Sequence, residues 1–143
     1  MTAHRPRETG PHDSYTLIEV LFSGAPAPRS GWWVGRPSRV WRPPTDVYET
    51  EDAIVVQVEI AGAQPEDFRI ELSDRFLSIA GARADPDPER RAYHQMEIHF
   101  GEFRADVELP GPVDREHITA EYGGGFLRVN LPKLRPTQIE IEE

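Results

Sequence analysis

Residues 118–131 read ITAEYGGGFLRVNL. Ile118, Ala120 and Tyr122 alternate with Thr119 and Glu121, and the same period of two runs through Phe126 to Leu131. Successive residues of an extended chain point to opposite sides, so each half presents one apolar face and one polar face, as a half-buried strand does. Gly123-Gly124-Gly125 lies between the halves and reads as the turn that joins two strands. No helix N-terminus follows it, so the glycines are not placed to hold a phosphate.

Working outward, the same pattern recurs. Ile54, Val56, Val58 and Ile60 alternate with Val55, Gln57 and Glu59, and Phe68, Ile70 and Leu72 alternate with Arg69, Glu71 and Ser73. Phe76 to Ile79 and Phe103 to Leu109 follow suit. The breaks are turn-like: Ala61 to Pro65, Ser73-Asp74-Arg75 and Pro110-Gly111-Pro112. With no sustained 3.6-residue period, residues 45–133 are expected to be all-β, an immunoglobulin-like antiparallel β-sandwich closed around one core.

Residues 80–103 form a long polar linker twice broken by Asp-Pro. Within it only Tyr93 to Ile98 has strand character, and a strand placed in so long a loop can pair away from its own sheet, including with a second copy.

Residues 1–44 hold seven of the fourteen prolines and are expected to be an irregular arm. The arm is nonetheless rich in large apolar groups, Leu17, Ile18, Val20, Leu21, Phe22, Trp32 and Trp33 among them, which solvating tails lack. Asp13 or Ser14 offers a cap for a short helix through Phe22, with Leu17, Ile18 and Leu21 on one face. Residues 134–143 make a tail in which Ile139 and Ile141 flank Glu140. Extended, the tail puts both isoleucines on one side, either idle or docked in a groove elsewhere.

Composition removes several function classes. The chain of 143 residues has room for one domain plus arm and tail, and with no cysteine it has neither disulfides nor thiolate chemistry. Its net charge of −9 divides into +3 over residues 1–44, −11 over 45–132 and −1 over 133–143, an acidic body that repels phosphate backbones and argues against specific nucleic-acid binding. No stretch reaches the roughly 18 apolar residues of a transmembrane segment and no secretory h-region opens the sequence, so a cytoplasmic location is expected.

His94, Glu97 and His99 form H-x-x-E-x-H, but 94 and 97 face opposite sides of a strand, so no metal site is expected. Phosphate-loop, dinucleotide and nucleophile-elbow motifs are absent, and acidic pairs such as Glu51-Asp52 and Glu66-Asp67 fall in turns. Neither an enzyme nor a cofactor-binding protein is expected.

At this point the order of the segments carries a resemblance. TDVYETEDAIVVQVEIAG, PEDFRIELSDRFLSIAGAR and GEFRADVELPGPVDREHITAEYGGGFLRVNLPK together resemble the α-crystallin domain of small heat-shock proteins, nearest to the bacterial and plant branch. The most specific element is Ala-x-x-x-x-Gly-x-Leu over residues 120–127, running on to Leu131-Pro132-Lys133; Phe103-Arg104, Leu109-Pro110 and the Ile-x-Ile tail add to it. Ala61 stands where the family often has proline, Gly124 where it has asparagine, and Ile98 where arginine often follows the glutamate.

The resemblance implies an ATP-independent holdase, working as a homodimer that assembles into a larger homo-oligomer and binds unfolding client proteins. It implies that Ile139 and Ile141 fill a groove of a neighbouring subunit, lined by Phe68, Ile70 and Leu72 on one side and Ile118, Ala120 and Tyr122 on the other. Tyr93, Met96 and Arg104 would belong to the dimer contact, although sequence alone leaves Arg104 open between that role and a plain surface arginine. Leu17, Ile18, Leu21, Phe22, Trp32 and Trp33 would present the arm to clients. The alternative is a non-oligomerising sandwich adaptor that binds one specific partner.

Overall fold

The structure is a computed structural model and describes residues 15–22, 40–89 and 92–135. Trp32, Trp33, Ile139 and Ile141 lie outside the described residues. Its strands, in chain order, are β1 Thr16–Leu17, β2 Val20–Phe22, β3 Thr45–Glu49, β4 Ala53–Glu59, β5 Arg69–Ser73, β6 Phe76–Arg83, β7 Gly101–Glu108, β8 Thr119–Gly123 and β9 Phe126–Pro132. Single 3₁₀ turns at Pro65–Asp67 and Arg115–His117 complete the regular structure among the described residues.

The strands form two sheets, ordered β1-β8-β9-β4-β3 and β2-β5-β6-β7. The expected alternation decides what lies between them. Ile54, Val56 and Val58 of β4, Ile70 and Leu72 of β5, Leu77 and Ile79 of β6, Phe103 and Val107 of β7, Ala120 of β8 and Leu127, Val129 and Leu131 of β9 make one buried cluster. The all-β sandwich expected from the sequence is the fold observed.

The hairpin that opened the sequence reading closes as its glycines require. Gly123 pairs with Phe126 across a two-residue loop in which Gly124 and Gly125 have φ of 59° and 84°. Positive φ at both central residues is the mirror-image turn that matches strand twist.

Three local expectations change. The short helix through Phe22 is not formed: residues 16–22 are the two strands β1 and β2, separated by Ile18-Glu19. A run of about ten residues is a marginal helix on its own, and β-branched Ile18 and Val20 sit better in a strand with an apolar partner surface. The linker is also shorter than 80–103, because β6 runs on to Arg83 and pairs with β7 down to Gly101. Gly81 is the residue that lets this ladder pass. A Cβ there would come within 2.5 Å of the Asp67 carbonyl and 2.6 Å of the Phe103 ring. Finally, Tyr93–Ile98 makes no strand in the single chain, whereas β3, with only Val47 and Tyr48 apolar and both exposed, is an edge strand that alternation did not reveal.

Trp41 covers the outer edge of β7. Its N–H donates to the Glu102 carbonyl (3.1 Å) and its carbonyl accepts from the Arg104 N–H (2.9 Å). Arg83 holds this corner together, with its guanidinium 4.6 Å from the Trp41 ring centre, Nη1 donating to the Ala61 carbonyl (3.0 Å) and Nε to the His99 carbonyl (3.0 Å).

Gly81→Ala is expected to lower stability by about 1–3 kcal/mol, since neither the Asp67 backbone nor the packed Phe103 ring can withdraw freely. Gly111→Ala, at a position with nothing within 4 Å of the added carbon, should be near neutral. Urea unfolding of the two variants side by side measures the difference.

Candidate functional site

The two sheets leave an opening between β5 and β8, the last long strand on one side of each sheet. Such edges carry unpaired backbone groups that invite a further strand. Here residues 16–22 supply it. β1 pairs antiparallel with β8, Thr16 opposite Tyr122 and Leu17 opposite Glu121, and the Ile18 N–H continues the ladder to the Ala120 carbonyl at 2.9 Å. The chain then crosses to the other sheet, where β2 pairs parallel with β5, Val20 opposite Ile70 and Phe22 opposite Leu72. One short segment therefore bridges both edges.

Its side chains alternate. Ile18 and Val20 turn inward and pack against the core, while Glu19 points to solvent and Leu17, Leu21 and Phe22 remain exposed, Leu17 by 76%. Burying the two branched side chains contributes up to about 3–6 kcal/mol before the cost of ordering the segment, and that cost is about 1–2 kcal/mol per residue for the backbone alone. The attachment is held by few ladder positions and is close to balance.

The six residues expected at a groove all lie in or against the buried cluster between these strands. Phe68, Ile70, Leu72 and Ala120 are buried, and Ile118 and Tyr122 are half-buried against the same cluster. Phe68 contacts Tyr122 with ring centres 4.8 Å apart, and on its other side meets Phe103 at 5.8 Å. The Tyr122 hydroxyl donates to the Ile60 carbonyl at 2.8 Å, tying β8 to the end of β4. Burial raises the Tyr122 phenol above its ordinary value of 10.0, against smaller opposing effects from a backbone hydrogen bond and the Arg83 charge. Beside the segment a cleft of about 410 Å³ stays open, lined in part by Leu17, Ile18, Leu21, Pro65, Phe68 and Ile70.

Sequence reasoning missed the occupant. It read Leu17, Ile18 and Leu21 as a helix face, although Ile18-Glu19-Val20 has the apolar–acidic–apolar alternation of Ile139-Glu140-Ile141. That likeness was the available signal.

The other expected positions are more dispersed. Tyr93, Met96 and Ile98 are exposed on the loop before β7, Met96 by 69%. Arg104, on β7, places its Nε 3.0 Å from both carboxylate oxygens of Asp106 on its own strand. Among the described residues no group of histidines and acids could hold a metal ion, and His99 instead stacks on Trp41 at 5.3 Å. Nor is any described helix long and apolar enough to cross a membrane.

Residues 46–142 match the Hsp20/alpha crystallin family, and the chain belongs to that family of small heat-shock proteins, which are generally chaperones and not enzymes. The 23.2 kDa heat shock protein of Oryza sativa is 35% identical over 101 residues, 66% of this chain and 47% of its own length. Small heat shock protein C4 of Rickettsia felis is 29% identical over 97 residues, 67% of this chain and 60% of its own length. Thus the matched stretch spans 60% or less of these two relatives. Among solved structures, heat shock protein 16.0 of Schizosaccharomyces pombe superposes with a TM-score of 0.60 at 28% identity, over 71% of this chain and 96% of that one. The small heat-shock protein of Xylella fastidiosa, whose structure is described as revealing a distinct high order structure, gives 0.60 at 26%, over 72% and 98%.

Tyr122→Phe removes a hydrogen bond that spans the mouth of the opening and is expected to cost about 0.5–1.5 kcal/mol at neutral pH. The raised folded-state value means the neutral phenol stabilises the fold below pH 10, and that contribution is lost as pH rises through the folded value. Urea unfolding at pH 8 and at about pH 11 should therefore show the gap between wild type and Tyr122→Phe shrinking at the higher pH.

Proposed function

We propose that this protein is an ATP-independent holdase that works as a dimer-based homo-oligomer and keeps partly unfolded proteins from aggregating. The observation that carries the reading is the strand-accepting opening between β5 and β8, lined by Phe68, Ile70, Leu72, Ile118, Ala120 and Tyr122 and able to seat an apolar–acidic–apolar segment. The tail holds such a segment in Ile139-Glu140-Ile141. Docked in the opening of a second copy, it would add a strand and fill alternate pockets. Each such bond is weak, but repeated around a closed assembly the bonds hold the whole while letting single subunits exchange.

Two features support a dimer as the building unit. The outer edge of β3 has no partner strand among the described residues, and its Val47 and Tyr48 are exposed. Tyr93 to Ile98, with an exposed Tyr93 and Met96, is a segment of strand character with no strand partner among the described residues. Each can satisfy the other across two copies, with Arg104 near the contact.

Clients that begin to unfold expose apolar surface. Leu17, Leu21 and Phe22 already face solvent, and Trp32 and Trp33 follow on the same arm. Capturing the unfolding state competes with its aggregation by mass action and needs no nucleotide. The acidic sandwich keeps the loaded complex soluble.

Light scattering after size exclusion is expected to find a large assembly for the wild-type chain and a dimer for the double variant Ile139→Ser/Ile141→Ser. The wild type should also suppress the thermal aggregation of a model client without ATP. A wild-type chain that runs as a discrete monomer or dimer and gives one-to-one complexes would instead mark a specific adaptor.

A further inference from the structure

The opening proposed for the tail already has an occupant, and the occupant has the tail's chemistry. Ile18-Glu19-Val20 and Ile139-Glu140-Ile141 are both a branched apolar residue, a glutamate and a second branched apolar residue. Ile18 and Val20 point into the opening, with backbone pairing to β8 on one side and β5 on the other. Two segments cannot take the same ladder positions at once. We propose that residues 15–22 are an intrachain plug, and that the competing occupant is the Ile139-Glu140-Ile141 tail of a second copy of this chain, so that each opening is either plugged or bound to a neighbour. This rests on the tail-docking reading above and adds a device that regulates it.

Three observations make the plug displaceable. Its ladders are short, two paired positions on β8 and three on β5, and the β5 pairing is parallel, the less stable arrangement per residue. Exposed Leu17, Leu21 and Phe22 add little to its hold. A cleft of about 410 Å³ runs beside it, against Pro65 and Phe68, so apolar surface next to the plug stays uncovered. A tail with isoleucine in both apolar positions carries one methylene more than Ile18 and Val20 together.

The plug is favoured by its tether. Residues 23–39 join it to the sandwich, and a connection of this length holds a segment at a local concentration on the order of millimolar. A tail from a second copy must compete with this tethered segment, and its apparent affinity falls by the fraction of openings left open. Warming favours withdrawal of the plug, because holding eight residues in one conformation is opposed by their entropy. Withdrawal then does two things in one step: it frees the opening for a neighbour's tail, and it adds Ile18 and Val20 to the apolar face the arm offers to clients.

The natural sequence has no cysteine, so a cysteine pair reports on the plug without ambiguity. Leu17→Cys/Glu121→Cys joins two residues that lie opposite each other across β1 and β8. Oxidised full-length protein is expected to carry this bond within one chain. It should bind a fluorescent peptide of residues 134–143, LRPTQIEIEE, at least about tenfold more weakly than the same protein reduced, as removal of open sites requires. The unlocked double variant Ile18→Ser/Val20→Ser should bind the peptide more tightly than wild type. A pair that does not join, or that joins two chains, overturns the proposal. So does peptide binding that is equal in the oxidised and reduced forms. A peptide that binds none of these proteins sinks tail docking itself, and the competition with it.

Discussion

Two sheets packed face to face have four outer edges, and two of them, at β5 and β8, lie on opposite sides of the same apolar opening. Their backbone groups there need partners, and the side chains between them, Phe68, Ile70, Ala120 and Tyr122, need a cover. A single extended segment with branched residues at alternate positions meets both needs, since its backbone pairs with the edges while every second side chain enters the opening. In this chain Ile18 and Val20 meet them from within. The constraint is one of geometry: a hairpin cannot reach both sheets, but one strand that switches sheets can.

From this constraint the rest of the molecule takes its sense. The Tyr122–Ile60 hydrogen bond and the Phe68–Tyr122 ring contact fix the width of the opening. Phe103 backs it, wedged between Phe68 and Trp41, and Gly81 is required so that β6 can pass beneath that ring. The opposite side of the second sheet is covered by Trp41, while among the described residues no strand pairs with the far side of β3. One side therefore holds the edge segment, one is covered by Trp41 and one presents the exposed Val47 and Tyr48 of β3. The chain belongs to the Hsp20/alpha crystallin family, and the holdase function proposed for it needs apolar surface that is withheld until it is wanted. The proposed plug is a physical means of withholding it.

The core strands were legible in the sequence because each is buried on one face, so hydrophobicity alternates cleanly, as at Ile54 to Val58 and Leu127 to Leu131. The six residues expected at a groove were singled out for the same reason together with the family resemblance, and all lie in or against the buried cluster. Three features were hidden by other physics. β3 is an edge strand with an exposed face, so Val47 and Tyr48 gave too little alternation. The role of Gly81 was not legible, because it depends on Phe103, more than twenty residues away in sequence and adjacent only in the fold. Residues 16–22 carried both a helical and an extended pattern, and only the presence of two hungry sheet edges decides between them. Local propensity was overruled there by tertiary pairing.

Hydrogen exchange resolved by amide, followed as the full-length protein is warmed, tests the central claim most directly. The amides of β5 and β8 that face β1 and β2 should lose protection well below the temperature at which Val56, Val58, Leu127 and Val129 lose theirs, because the edge segment leaves a sandwich that stays folded. Loss of protection at the edges and in the core at one common temperature would contradict the account, since the opening would then never be free while the fold exists.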